Sequence, residues 1–123
     1  MPNHLLILMS NPAPGREAEY NAWYDEHLVD TVRNHPGIVA GRRLVQADLE
    51  GRPVHPYKYV AVYEVAEDAL DEAYEYFIGR RRDRAQAAVE GREAAAPVPD
   101  FMDLENATVA FFTQVGPEAR RTP

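Results

Sequence analysis

The sequence predicts an α+β protein with the ferredoxin-like element order βαββαβ, in which two helices cover one face of a four-stranded antiparallel sheet. Apolar stretches of strand length alternate with two stretches of helical periodicity in this order. The chain has 123 residues, enough for one hydrophobic core and too few for two. We therefore expect a single domain over residues 1–116 and a flexible tail over residues 117–123.

The first half of the chain predicts a strand, a helix and a second strand. Residues 5–9 form a continuous apolar run that ends at a proline-rich turn, as expected for a strand buried on both faces. A helix follows from Glu17, and Pro36 ends it because proline cannot continue a helix. Residues 38–47 form the second predicted strand, with Gly41 as the candidate bulge.

The second half predicts a strand, a helix and a last strand. A turn-rich connection over residues 48–56 leads to a third strand at residues 59–65, whose two faces are both largely apolar and need cover. Asp68 is the predicted cap of the second helix. Residues 92–106 are predicted to be irregular, and residues 108–115 form the last strand.

The two helices leave one face of the predicted sheet uncovered. This face also carries valines, leucines and aromatic side chains, which are unfavourable in contact with water. A second copy of the same sheet would cover them. We therefore expect a homodimer in which the two sheets face each other.

The bulk composition argues against several classes of partner. A formal net charge of −7 disfavours a general nucleic-acid role, which needs a basic face. The one basic cluster, at residues 80–84, follows an acidic helix start, and we expect a solvated helix face rather than an anion site. The N-terminal apolar run has no basic leader and is too short to cross a bilayer, so we expect a cytoplasmic protein without a membrane partner.

The sequence also lacks the motifs of several kinds of site. Without cysteine, the chain has no thiolate nucleophile and no cysteine-ligated zinc. It has no HExxH motif and no close set of histidine, aspartate and glutamate, so we expect no metal site. A glycine-rich phosphate loop is absent as well.

The first helix carries the strongest functional signal, a histidine at the centre of its inward stripe. At about 100° per residue, one side of this helix collects Tyr20, Trp23, Tyr24, His27, Leu28 and Thr31. An imidazole among aromatic rings is a frequent arrangement for proton transfer. Asp30, three residues further on, could hold one ring nitrogen unless it points to water. The same pattern also fits a hydrogen-bonded core histidine, and periodicity does not choose between them.

Tyrosine hydroxyls are the candidate groups for stabilising a charged oxygen. A buried tyrosine hydroxyl needs a partner, and one in a pocket between helix and sheet could polarise a carbonyl or an enolate. The predicted catalytic residues are His27, Tyr20 and Tyr24. The predicted substrate-binding residues are Trp23, Thr31, Tyr59, Tyr63 and Phe77. In the alternative interpretation each of these tyrosines is only a core residue.

A family resemblance rests on the first helix and the strand after it. The helix contains the run EYNAWYDEH at residues 19–27, and a Pro-Gly pair at residues 36–37 leads into a strand with Arg42 and Arg43. This pattern resembles EthD-type members of the dimeric α+β barrel superfamily, and the order of strands and helices is similar over nearly the whole chain. The resemblance implies a dimer whose facing sheets form a barrel, with a pocket between each sheet and its helices.

Relatives in this superfamily include cofactor-independent monooxygenases, polyketide cyclases, muconolactone-type isomerases and haem-binding peroxidases and dismutases. In the methylmuconolactone isomerase branch a first-helix histidine is implicated in the chemistry, which resembles the placing of His27. The cyclase branch often uses a histidine on a strand near the C-terminus, and residues 108–115 have none. No inward histidine is evident on the later strands or the second helix, which disfavours haem.

The pattern and the resemblance together predict an enzyme that needs no cofactor and acts on a largely apolar aromatic or cyclic oxygenated metabolite. His27 would be its general base and acid, next to a carbonyl, in an isomerase, a cyclase or a lyase. The alternatives are a cofactor-free monooxygenase of the same fold and a non-catalytic dimer that binds such a metabolite. The sequence identifies neither the substrate nor the type of reaction.

Overall fold

A computed structural model describes residues 3–103 and 107–122 of the chain. Its elements are β1 (His4–Ser10), α1 (Glu17–Asn34), β2 (Ile38–Val45), β3 (Tyr59–Val65), α2 (Leu70–Glu90) and β4 (Thr108–Thr113). The strands form one antiparallel sheet in the order β2-β3-β1-β4. This is the ferredoxin-like arrangement, and it confirms the predicted fold class.

One face of the sheet packs against both helices. The four alternate residues of β3 from Tyr59 to Val65 are buried on this face. The ring of Tyr20 on α1 lies 5.1 Å from that of Tyr59, and the ring of Phe77 on α2 lies 5.8 Å from that of Tyr63, centroid to centroid. Because side chains two residues apart on a strand share a face, both helices cover the same side of the sheet.

The other face of the sheet is open and largely apolar, as predicted. On this face Leu5 of β1 pairs with Phe112 of β4, and Leu44 of β2 pairs with Val60 of β3. The exposed fractions of Leu5, Leu44 and Phe112 are 39%, 45% and 54%. The homodimer that would cover these side chains stays a prediction.

Several boundaries differ from those predicted. The strand β1 is one residue longer at each end, whereas β2 and β4 each end two residues earlier, at Val45 and Thr113. The helix α2 begins at Leu70 with Ala69 in the N-cap position, so the predicted cap by Asp68 is wrong. The last residues of the predicted irregular segment, 104–106, lie outside the described residues.

The bulge in β2 lies at Val39 rather than at Gly41. The pairing register between β2 and β3 shifts between Ile38 and Ala40, which leaves Val39 as the extra residue. Gly41 has a different role, because a Cβ atom at this position would lie 2.9 Å from Cδ1 of Tyr63. The glycine therefore allows a tyrosine ring to lie against the backbone of β2.

Neither helix is a membrane span. Within residues 3–103 and 107–122, no helix is both long and apolar enough to cross a bilayer.

Candidate active site

A cleft lies between the two helices and the β1–β4 half of the sheet, and it consists of two adjoining chambers. The His27 chamber has a volume of about 280 Å³, and its own walls are Trp23, His27, Phe77, Arg80 and residues 96, 97 and 99. The Ser10 chamber has a volume of about 340 Å³, and its own walls are Met9, Ser10, Ala85, Ala107 and Thr108. Both chambers share the walls Leu8, Tyr24, Arg81, Arg84, Val98, Met102 and Val109.

His27 reaches the cleft from the third turn of α1. Its ring stacks on the indole of Trp23, one turn earlier, with centroids 4.4 Å apart and planes 13° apart. The ring of Tyr24 meets it edge-on at 6.0 Å. In residues 3–103 and 107–122 no hydrogen-bond partner is found for either imidazole nitrogen, and Asp30 is exposed. Of the two alternatives for Asp30, the structure therefore has the one in which it points to water.

The surroundings of His27 keep its imidazole uncharged. Burial lowers the pKa of His27 below its ordinary value of 6.5, and the positive charge of Arg80 lowers this pKa further. The carboxylate of Asp30 acts in the opposite direction but is the smallest of the three effects. Burial and a like charge both disfavour the cation. At neutral pH the ring is therefore neutral, and one nitrogen has a lone pair available as a base.

Tyr24 places a phenol beside this base. The residue is 5% exposed and lines both chambers. Burial raises the pKa of Tyr24 far above its ordinary value, so the hydroxyl stays protonated and can donate a hydrogen bond. Among the described residues this hydroxyl has no hydrogen-bond partner. The ring is fixed from its other side by the guanidinium of Arg43, 4.8 Å from its centroid.

Of the predicted substrate-binding residues, Trp23 and Phe77 line the His27 chamber. Four other predicted site residues line neither chamber: Tyr20, Thr31, Tyr59 and Tyr63. The Tyr20 hydroxyl is hydrogen-bonded to the hydroxyl of Ser10, and the Tyr59 hydroxyl donates to Glu17 at 2.6 Å. Burial raises the pKa of Tyr63 to about 12. The structure thus uses these side chains to pack α1 against the sheet, and it does not bring the predicted catalytic Tyr20 to the cleft.

Three cleft residues that the sequence analysis did not single out as a site are Arg80, Arg81 and Arg84 of α2. The guanidinium of Arg80 lies 4.1 Å from the ring centroid of Tyr76, and Arg84 donates to the backbone carbonyl of Ala96 at 3.2 Å. Within the described part of the chain, none of the three has a carboxylate within salt-bridge distance. Three positive charges therefore line the cleft, and none of them has a counter-ion among the described residues.

The fourth arginine of the cluster behaves as predicted. Arg82 is exposed and lies 3.5 Å from the carboxylate of Glu75 on the outer side of α2. The expectation of a solvated helix face holds for Arg82 and for Arg81, which is exposed at the rim of the cleft, whereas Arg80 and Arg84 are half-buried. The sequence did contain a sign that some of these arginines face inward, because Phe77, Arg81 and Arg84 recur at helical spacing on one stripe of the helix.

No group of three or more histidine, cysteine, aspartate or glutamate side chains in residues 3–103 and 107–122 is placed to hold a metal ion. Comparison with protein-family models gives no match for the chain, and comparison with the sequences of curated proteins gives none either.

Two solved structures share the fold. One is the haem-degrader MhuD of Mycobacterium tuberculosis, solved with two haems bound in its active site. It is 20% identical, with a TM-score of 0.51 over 94% of this chain and 99% of that chain. The other is a hypothetical protein of Arabidopsis thaliana, 10% identical, with a TM-score of 0.55 over 97% of this chain and 94% of that chain. At these identities the likeness shows the ferredoxin-like fold.

Proposed function

We propose that this chain is a cofactor-independent enzyme that moves a proton next to a carbonyl in a largely apolar aromatic or cyclic oxygenated metabolite. The observation that carries the proposal is an imidazole and a phenol, side by side on the wall of the cleft, without hydrogen-bond partners in the described residues. Isomerisation, ring closure and elimination can all begin with such a proton transfer.

His27 is the general base and acid in this proposal. Its neutral imidazole takes a proton from the carbon next to the carbonyl, and an enolate forms. The imidazolium then returns the proton to another atom of the substrate or to a leaving group. Because burial and Arg80 disfavour the charged ring, the imidazolium gives up its proton readily.

Tyr24 stabilises the enolate oxygen. Its hydroxyl stays protonated and has no competing partner among the described residues, so it can donate to the oxygen as negative charge develops there. Such a donor contributes most in a site that excludes water. Four of the other walls serve this purpose, since Leu8, Phe77, Met102 and Val109 are apolar.

The proposal includes the family and the assembly that the sequence predicts, an EthD-type member of the dimeric α+β barrel superfamily that forms a homodimer through its open sheet faces. The exposed apolar residues Leu5, Leu44 and Phe112 support it, because they lie on one face of the sheet. Analytical ultracentrifugation should give the mass of two chains for the protein and of one chain for Phe112→Asp. A monomeric wild-type protein would contradict the dimer.

Deuterium exchange tests the reaction without knowledge of the substrate. Cyclic ketones and lactones, each as the neutral compound and as its ring carboxylate, are incubated in deuterium oxide, and proton NMR follows loss of the α-proton signal. We expect exchange with the wild-type protein and a loss of roughly a hundredfold to ten-thousandfold in His27→Gln, the usual contribution of a general base.

The same variant separates the proposal from its rivals. The free energy of unfolding of His27→Gln should fall by no more than about 1.5 kcal/mol, because the stacking on Trp23 is lost but no hydrogen bond is lost within the described residues. A large drop would make His27 structural, and unchanged exchange would remove it as the base. Binding without exchange by the wild type would favour the non-catalytic metabolite carrier. Oxygen consumption during exchange would favour the cofactor-free monooxygenase, in which the same carbanion reacts with oxygen.

Haem is a further rival ligand, because a protein of the same fold binds it. Histidine is a usual axial ligand of haem iron, and His27 is the one described histidine that lines the cleft. A change in hemin absorption that requires His27 would support haem and count against cofactor-independent chemistry.

A further inference from the structure

The three arginines of the cleft converge because of their spacing on α2. Arg84 follows Arg80 by one turn and Arg81 by three residues, so the three side chains fall within roughly 100° of the helix circumference. Arg81 and Arg84 line both chambers, and Arg80 lines the chamber that holds His27. The three guanidinium groups therefore line the same cleft as the proposed base.

Five of the other nine arginines have a carboxylate within salt-bridge distance, whereas the exposed Arg33, Arg42, Arg52 and Arg121 have none among the described residues. Those with such an ion pair are Arg16, Arg43, Arg82, Arg92 and Arg120. The cleft arginines have none in residues 3–103 and 107–122. Burial lowers the pKa of Arg84, and the charges of Arg81 and Arg80 lower it further, whereas the smaller effect of Asp83 raises it, so like charges predominate around this guanidinium. An anion bound between them would relieve this repulsion.

We propose that the substrate of this site is an apolar cyclic acid and that Arg80, Arg81 and Arg84 bind its carboxylate. The inference rests on the proposed function and adds the substrate class. A guanidinium presents its N–H groups in a planar fork that matches the two oxygens of a carboxylate. The other walls, Trp23, Phe77, Val98 and Met102 among them, suit a ring without charge.

The structure favours a carboxylate over a phosphate. Protein sites for phosphate usually add backbone N–H groups from a helix N-terminus or a glycine-rich loop. The N-terminus of α2 is at Leu70, ten residues before Arg80, a distance of roughly 15 Å along the helix. The N-terminus of α2 therefore offers no backbone donors to an anion held by these arginines, whose side chains alone suit a carboxylate.

Binding can be measured directly through the fluorescence of Trp23. It is the single tryptophan of the chain and a wall of the His27 chamber, so a ligand in this chamber changes the tryptophan fluorescence. The probes are cyclohexanecarboxylate and its neutral amide, cyclohexanecarboxamide, which have the same ring. We expect the acid to bind at least about tenfold more tightly, since hydrogen bonds to a charged group contribute more than those to a neutral one.

Charge-removing variants on one helix identify the groups that bind the acid. Arg81→Gln and Arg84→Gln should each weaken binding of the acid by roughly tenfold to a hundredfold and leave the amide unaffected. Arg82→Gln is the matched control, because it removes the same charge from the outer side of α2 and should change neither affinity. His27→Gln should still bind the acid. With the wild-type protein alone, added salt should weaken binding of the acid more than of the amide.

Equal affinity for the acid and the amide would overturn the inference, as would an equal loss in Arg82→Gln. Tighter binding of cyclohexyl phosphate that depends on Arg81 would replace the carboxylate by a phosphate. If hemin binds in an arginine-dependent way and still binds to His27→Gln, the carboxylate comes from the haem propionates, and the proposal of a small cyclic acid is overturned.

Two further outcomes separate this inference from the proposed function. Arginine-dependent acid binding without proton exchange would remove the proposed function alone. Exchange that is equal for neutral and carboxylated compounds would remove this inference alone.

Discussion

The polar side chains on the two sides of α1 differ in whether they have hydrogen-bond partners. Away from the cleft, polar side chains at the contact of α1 with the sheet are paired within the fold: Tyr20 with Ser10 of β1, and Asp25 with Arg43 of β2 at 2.7 Å. On the side that faces the cleft, His27 has no such partner in the described residues. Because His27 is only half-buried, its nitrogens can still be reached by a ligand that enters the cleft.

Arginine shows the same contrast within one residue type. The guanidinium of Arg43 lies 4.8 to 5.5 Å from the ring centroids of Tyr24, Tyr59 and Tyr20, and it also pairs with Asp25. Arg81 lines the cleft without any carboxylate among the described residues. The first arginine therefore has a complete set of contacts in the folded chain, whereas the second is available to a substrate.

Within this comparison the largest effect is expected from Tyr24 and Tyr20, two tyrosines one turn apart that should differ in their effects on turnover and on stability. Tyr24→Phe should lower turnover in the exchange assay roughly a hundredfold to a thousandfold, as expected for loss of a donor to an oxyanion. Its stability to urea should not fall, because the hydroxyl has no partner in the described residues. Tyr20→Phe should show the reverse, a loss of about 1–2 kcal/mol in the free energy of unfolding with unchanged turnover, since Ser10 loses its partner. Equal effects of the two variants would contradict the contrast.

Substitution of Arg43, which contacts α1 away from the cleft, should change the stability of the protein and not its affinity for the ligand. Arg43→Met should lower the free energy of unfolding by about 2 kcal/mol, because it removes an ion pair and contacts with three tyrosine rings. Affinity for cyclohexanecarboxylate should stay within about twofold of the wild type. Arg52→Met, in an exposed loop, is the control and should change neither quantity. A tenfold loss of affinity in Arg43→Met would show that the two sides are coupled.

The sequence predicted the position of α1 and its inward stripe, but it did not separate Tyr20 from Tyr24. Both residues belong to the same stripe, and helical periodicity assigns them the same side. What distinguishes them is Ser10 on β1, whose hydroxyl bonds to Tyr20 and not to Tyr24. Such a contact depends on how the strand and the helix pack, which local periodicity does not determine.

The cleft position of the arginines of α2 was not predicted, for a related reason. Charged residues in a helix are mostly solvated, and the acidic start of α2 made a solvated face the natural expectation. The cleft beside them is formed by residues distant in sequence, such as Leu8 on β1 and Val98 in the segment after α2. Helical spacing did place Arg81 on the inward stripe with Phe77, but only the packing of the whole domain shows that a space remains there.

The smallest expected effect is a shift in pH dependence. A general base must be unprotonated, so kcat/KM should rise with pH and level off once His27 has lost its proton. Because burial and Arg80 lower the pKa of His27, the midpoint of this rise should lie below 6.5 in the wild type. In Arg80→Gln the midpoint should move upward, since removal of a positive charge makes the imidazolium less unfavourable.

Asp30→Asn should shift the midpoint of the pH profile in the opposite direction. Its carboxylate raises the pKa of the imidazole, so its removal should move the midpoint of the pH profile downward, by less than Arg80→Gln moves it upward. Arg80→Gln should also lower the plateau, because Arg80 contacts the substrate in the proposal, but the midpoint reports only the titrating base. Identical midpoints in the wild type and both variants would mean that the group titrating in the profile is not His27.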